Sequence, residues 1–258
     1  MAEAILSRAI DNHLLDPSSI HVAEPVDERR AFIRTTYSVV THSSNRDAIH
    51  DADLIVLAIK PQQTVSVFNE LAGLIHESQT CLSIVAGVPI SKLREGLRHE
   101  KIIRVMPNTP AQIGEAMSVW TATPQVSDMA RAGAADLLAT LGHQREVSDE
   151  SYIDMATAIS GSGPAYVFAF IEALVQAGIN IGIPSGMALD LTLQTVYGAA
   201  RLAKVTGDDP AVLRERVTSP GGTTAAAMNA LIASEFGAVI ESAVRAAHRR
   251  AQELGGNA

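Results

Sequence analysis

Through the first half of the chain, short runs of β-branched and apolar residues alternate with stretches whose apolar positions recur at helical spacing, the pattern of βαβ units. The strand-like runs are SIHVAE, YSVVT, DLIVLAI, TCLSIVA, KIIRVM and MSVWTAT. NRDAIHDA, PQQTVSVFNELAGLI, ISKLREGLRH and SDMARAGAADLLATLG read as helices among and after them. DLIVLAI is an almost unbroken apolar run, as a strand covered on both faces must be. The pattern predicts an α/β fold, a doubly wound, Rossmann-like parallel sheet over residues 1–147.

Beyond Val147 no strand-like run survives, and alanine and leucine recur at helical spacing to the end. Residues 148–258 are therefore predicted to be all helix. One helix opens at Gly163-Pro164 and stops at Gly178, a second runs from about Ser185 to Val205, and a short one follows Asp209-Pro210. The last is expected from about Thr224 to Leu254. Faces such as AYVFAFIEALVQAGI and ALDLTLQTVYGAARLA carry too little charge to stand alone against water, which points to intimate dimerisation.

Composition narrows the function. The net charge is −8 and the pI near 5.5, without the clustered Lys and Arg that phosphate backbones require, so nucleic acid is excluded as a partner. The single cysteine, Cys81, allows no internal disulfide framework and fits a reducing, cytoplasmic compartment. MAEAILSRAI is no signal peptide, and no uninterrupted apolar run reaches the ~18 residues of a membrane span, so no membrane association is expected.

The chemistry lies in a few polar stretches. VTSPGGTTAAAMNAL, Val217 to Leu231, sets proline, glycines and hydroxyls directly before a helix. Such a helix start offers unpaired N–H groups and partial positive charge to a small carboxylate; equally, Thr223 or Thr224 can be an ordinary N-cap. ISGSGPAYVF, Ile159 to Phe168, repeats glycine and serine before a helix start, and two such termini can face one ligand. The histidines show no metal-ligand spacing and no G-x-S-x-G is present, so metal and hydrolase chemistry are disfavoured. Hydride transfer to an imine already protonated in water needs mainly binding and orientation. DLIVLAIKPQ places Ala58 to Pro61 beyond the carboxyl end of a strand, where a dinucleotide crosses an open sheet, although a lone lysine there is also an ordinary solubilising residue. In RVMPNTPAQIGEA, Asn108 and Thr109 can cap a turn or reach a ligand.

LAIKP, VAG at Val85 to Gly87, RVMPNTP, ISGSGPAYVF and VTSPGGTT together resemble the pyrroline-5-carboxylate reductase family, over nearly the whole chain. The resemblance implies an oxidoreductase that makes proline from a cyclic imine with NADPH or NADH, built as a dinucleotide-binding domain and a helical dimerisation domain. It implies homodimers that assemble further into decamers. Asn45, Ala58, Ile59, Lys60, Pro61, Ile84, Val85 and Ala86 would line the cofactor, with Asn108 beside them. Glu150, ten residues before Ser160, would hold the substrate together with Ser219, Gly222, Thr223 and Thr224. Thr224 would be the catalytic residue, hydrogen-bonded to the ring nitrogen. Glu24 ends the second strand expected of the family, where a carboxylate accepts a ribose 2′-hydroxyl and repels a 2′-phosphate, although Arg29 or Arg30 can offset that repulsion.

In one respect the chain departs from the family, which opens with a strand and a G-x-G-x-x loop before a helix like MAEAILSRAI. The expectation is that Met1 is an internal methionine, with an apolar strand ending in G-x-G encoded upstream; an inactive dimeric relative is the alternative. A β-hydroxyacid dehydrogenase shares the architecture but needs a lysine in the long helix, and AYVFAFIEALVQAG has none.

Overall fold

Residues 1–256 are described by the computed structural model. The alternating half folds as α1 (Ala2–Asp11), β1 (His21–Ala23), α2 (Asp27–Tyr37), β2 (Val40–His42), α3 (Asn45–Ala48), β3 (Leu54–Leu57), α4 (Thr64–Leu71), β4 (Thr80–Ser83), α5 (Ile90–Leu97), β5 (Ile102–Met106), β6 (Ala116–Ala122), α6 (Asp128–Leu141), β7 (Gly142–Glu146) and α7 (Ser151–Ala156). Strands β3-β4-β5-β6-β7 form one sheet, whereas β1 and β2 pair in parallel with each other only.

Strands β3, β4 and β5 read as apolar because both faces are covered. Ile55, Leu57, Cys81 and Ile102 pack with Leu71, Leu93 and Leu97 on the side of α4 and α5. Leu82, Ile103 and Val105 meet Ile5, Ala9 and Leu138 on the side of α1 and α6. Burial pushes the Cys81 thiol up to about 12, leaving it an inert core residue. Helix α1 also serves the β1–β2 pair: Leu6 lies in a small separate cluster with Ile33 and Val39. Glu3 adds an ion pair to Arg29 and accepts the Tyr37 hydroxyl at 2.6 Å.

Two features differ from the sequence prediction. β6 runs antiparallel to β5, because the link Pro107 to Glu115 holds only a short 3-10 turn, Thr109–Ile113, and is too brief for a crossover. β7, GHQRE, is polar enough to escape an apolar-run search; it pairs parallel to β6 after α6, and its Gln144 accepts the Trp120 indole N–H at 2.6 Å.

The chain divides into two compact units, one of Met1–Ser162 with the chain from Ala246 onward, the other Gly163–Arg245. The second contains α8 (Gly163–Asn180), α9 (Ser185–Thr206), α10 (Pro210–Arg216) and α11 (Thr223–Ala233), and the first part of α12 (Phe236–Gly255). The single last helix expected from the sequence is thus two, bent by 51° at a break where Glu235 takes a left-handed φ of 51°. Helices α8 and α9 approach closely at Gly178, where an added Cβ would lie 3.2 Å from that of Ala188. Phe168, Phe170, Leu189, Leu193 and Tyr197 nevertheless stay exposed in the single chain.

α7 runs into α8 through a π-turn, Thr157–Gly161, so that Ser151–Asn180 is one 30-residue helix. Its length and composition would suffice to cross a membrane, which counting uninterrupted apolar residues did not reveal. The second helix start expected at Gly163 is for the same reason no free N-terminus: the Ser162 N–H already donates to the Thr157 carbonyl at 2.8 Å.

Candidate active site

In the first unit, the predicted cofactor residues sit in the turns that follow parallel strands, on the side where such sheets bind ligands. After β1, the Glu24 carboxylate accepts the Val26 N–H at 2.9 Å, while Arg30 donates to the Glu24 carbonyl at 2.7 Å and pairs with Asp27. Arg29 is engaged by Glu3. After β2, Asn45 opens α3, and Glu70 of α4 accepts both its N–H at 2.9 Å and its side-chain amide at 2.7 Å. Burial pushes the Glu70 carboxyl upward, but these hydrogen bonds outweigh it and hold the group below the usual carboxylate range.

After β3 come Ala58, Ile59, Lys60 and Pro61; the Lys60 N–H donates to Gln63 Oε1 at 3.0 Å, and the Lys60 side chain is exposed. After β4, the Val85 side chain is buried in the core, its N–H meets Ser83 Oγ at 3.3 Å and its carbonyl accepts the Val88 N–H at 3.4 Å, between Ile84 and Ala86. Gly87 follows with φ of 72°, and an added Cβ would lie 2.6 Å from Leu254 Cβ at the end of α12. The short side chains of Ala58 and Ala86 and the open loop backbones suit a flat dinucleotide.

Glu150 and Asn108 hold other groups. Arg104, 3% exposed on β5, donates to Glu150 Oε1 at 2.7 Å and to Asp154 Oδ1 at 2.8 Å. The same Glu150 oxygen accepts the Ile90 N–H at 2.8 Å, closing the start of α5. Asn108 donates through Nδ2 to the Ser160 carbonyl at 3.0 Å and accepts the Met117 N–H at 2.9 Å. Its side chain therefore fills a structural clasp and makes no cap bond to its own turn.

In the second unit, Ser219, Gly222, Thr223 and Thr224 come together in one turn and helix start. Ser219-Pro220-Gly221-Gly222 closes with the Gly222 N–H donating to the Ser219 carbonyl at 3.1 Å, and Gly221 has φ of 72°, the glycine position of a type II turn. An added Cβ on Gly222 would lie 2.5 Å from Ser219 Oγ, so that glycine lets the hydroxyl fold over the helix start. The N-cap of α11 is Gly222, with no side-chain cap bond and no acidic residue in the first turn. Neither threonine caps the helix; its first N–H groups lack a side-chain acceptor, and the two hydroxyls belong to the opening turn.

Sequence reasoning missed Glu70, Arg104 and Asp154. A signal existed only for Arg104, a charge inside the apolar run KIIRVM that has to find carboxylates once buried. Among the described residues no cluster of three His, Cys, Asp or Glu side chains forms a metal site. A surface hollow of about 430 Å³, lined by Trp120, Arg131, Gln144 and Glu146, contains none of the candidate residues.

The described geometry has close counterparts. Residues 150–254 match the family description "pyrroline-5-carboxylate reductase dimerisation", and residues 1–87 match "NADP oxidoreductase coenzyme F420-dependent". The chain is 42% identical to a pyrroline-5-carboxylate reductase of Synechocystis sp., over 99% of this chain and 95% of the relative. A solved pyrroline-5-carboxylate reductase of Coxiella burnetii superposes with a TM-score of 0.91 at 35% identity, covering 98% of this chain and 94% of that one. A Plasmodium falciparum pyrroline carboxylate reductase with NADP bound does so with a TM-score of 0.88 at 30% identity, over the same shares of the two chains.

Proposed function

The chain belongs to the pyrroline-5-carboxylate reductase family, and on that premise we propose that it reduces 1-pyrroline-5-carboxylate to L-proline, the last step of proline biosynthesis. Bound NAD(P)H supplies the hydride. The chain contributes binding and orientation. The observation that carries the reading is the first turn of α11, without a side-chain cap, behind the Ser219–Gly222 turn. Its N–H groups and partial positive charge receive the substrate carboxylate, with Ser219 and Thr223 completing the hydrogen bonds. The Thr224 hydroxyl meets the ring nitrogen, which enters as an iminium and leaves as an amine, so no protein base is required. Glu150 is a substrate residue of the first unit in the same proposal, its Oε1 held in place by Arg104 and the Ile90 N–H.

Asn45, Ala58–Pro61 and Ile84–Ala86 hold the cofactor, mainly by backbone contacts. A dimerisation domain is present. We further infer that it joins two copies of this chain, because the exposed Phe168, Phe170, Leu189 and Leu193 then leave water, and that the dimers can build a decamer in the cytoplasm. The test is oxidation of NADPH or NADH by the purified chain with and without 1-pyrroline-5-carboxylate. Oxidation that does not depend on the imine refutes the activity, and sedimentation of a stable monomer at micromolar concentration refutes the dimer.

A further inference from the structure

A helix that contains proline has one carbonyl without its usual donor. Pro164 stands four residues beyond Ser160 and has no N–H to give it. The Ser160 carbonyl instead receives Asn108 Nδ2 at 3.0 Å, from the loop at the carboxyl end of β5. The other end of that amide accepts the Met117 N–H at 2.9 Å, which fixes its orientation. The turn so held is a π-turn, with the Ser162 N–H reaching back to Thr157 at 2.8 Å and the Ser160 hydroxyl to Ala156 at 3.0 Å. It also lies directly on Met106, the last residue of β5: an added Cβ on Gly161 would be 2.6 Å from the Met106 methyl. π-turns survive where surrounding contacts enforce them and are frequent at functional sites.

We propose that Asn108 is a positioning residue of the reductase, its carboxamide replacing the N–H that Pro164 lacks and pinning the π-turn Thr157–Gly161 against the carboxyl end of β5. The inference rests on the reductase reading above, because strand ends of this sheet are where the cofactor binds. Asn108 thus serves that site through Ser160 and Met106 without touching a ligand. Pro164 makes the clasp necessary, and the two residues form one device 56 positions apart in the chain.

The experiment is a double-mutant cycle. Asn108→Ala should lower kcat/KM by roughly tenfold, the usual yield of one lost hydrogen bond in a positioned element, and speed amide exchange over residues 157–163. Pro164→Ala supplies a peptide N–H to Ser160 and should leave the wild-type rate nearly unchanged. In the Asn108→Ala/Pro164→Ala chain the rate and the slow exchange should both return to within about threefold of the Pro164→Ala chain. A merely structural loss of the Met117 bond, or a direct cofactor contact, gives no such rescue, because Pro164→Ala restores neither. An active wild type whose double variant stays as slow as Asn108→Ala overturns the positioning role alone. A wild-type chain that reduces no imine overturns the reductase reading, and this role with it.

Discussion

Thr224→Ala separates catalysis from helix capping, the two roles its sequence position allows. The structure places the N-cap of α11 at Gly222, so Thr224 is the second residue of the helix, and no side chain caps it. Removing a true N-cap hydroxyl costs about 1 kcal/mol of stability, which in a chain of this length lowers Tm by roughly 2–4 °C. Removing Thr224 should cost almost none of that. If its hydroxyl meets the iminium nitrogen, the loss is a hydrogen bond to a charged group, about 1.5–3 kcal/mol. At about 1.4 kcal/mol per factor of ten, kcat/KM should fall roughly 12- to 140-fold. Thr224→Ser keeps the hydroxyl and should stay within about threefold of wild type. Steady-state kinetics with both variants, beside thermal melts, reads all of this at once. Unaltered kinetics, or a melt that falls while kinetics hold, would refute the reasoning.

Other sites have sharper energetic or pH signatures. Arg104→Met leaves Glu150 and Asp154 side by side without their cation and should destabilise the fold by about 3 kcal/mol, seen in denaturant melts; a loss under 1 kcal/mol would contradict the pairing. Glu70 has its carboxyl held below the usual range when folded, so its contribution is full at neutral pH and is lost as pH falls through that lowered pKa. The stability gap between wild type and Glu70→Gln should accordingly close on acidification below about pH 4, and a gap that widens there contradicts the role. Glu24, with Arg30 committed to Asp27 and to the Glu24 carbonyl, should make NADH bind more tightly than NADPH, and Glu24→Gln should narrow the ratio; equal dissociation constants by fluorescence titration remove the prediction.

Periodicity located the strand–helix order because apolar burial on two faces writes itself as continuous runs, as at Leu54–Leu57. It was silent on β7, whose residues are mostly polar, and on the direction of β6, which depends on how far a short link can reach. The turn Ser219–Gly222 was legible since its chemistry is local: proline then glycine fixes the backbone, and the helix follows within three residues. The pairing of Arg104 with Glu150 and Asp154 spans 46 and 50 residues, and no local rule announces a partner at that distance. Asn108 was ambiguous for a related reason. An amide in a loop can cap, clasp or bind, and only the neighbouring Ser160 carbonyl decides.

The β1–β2 pair has a thermodynamic consequence of its own. Its cluster has three buried side chains, Leu6, Ile33 and Val39, whereas fourteen buried residues hold the five-stranded sheet's α1 and α6 side. Two short strands joined only to each other are the part of such a molecule that opens first, at a free energy well below global unfolding. Glu24 and Asn45 ride on this lobe. If a dinucleotide touches them, it should bind only the closed lobe, and observed affinity should then equal intrinsic affinity scaled by the closed fraction. Amide exchange in β1 and β2 should then be fast in the free chain and slow in the complex, while β4 and β5 exchange slowly in both.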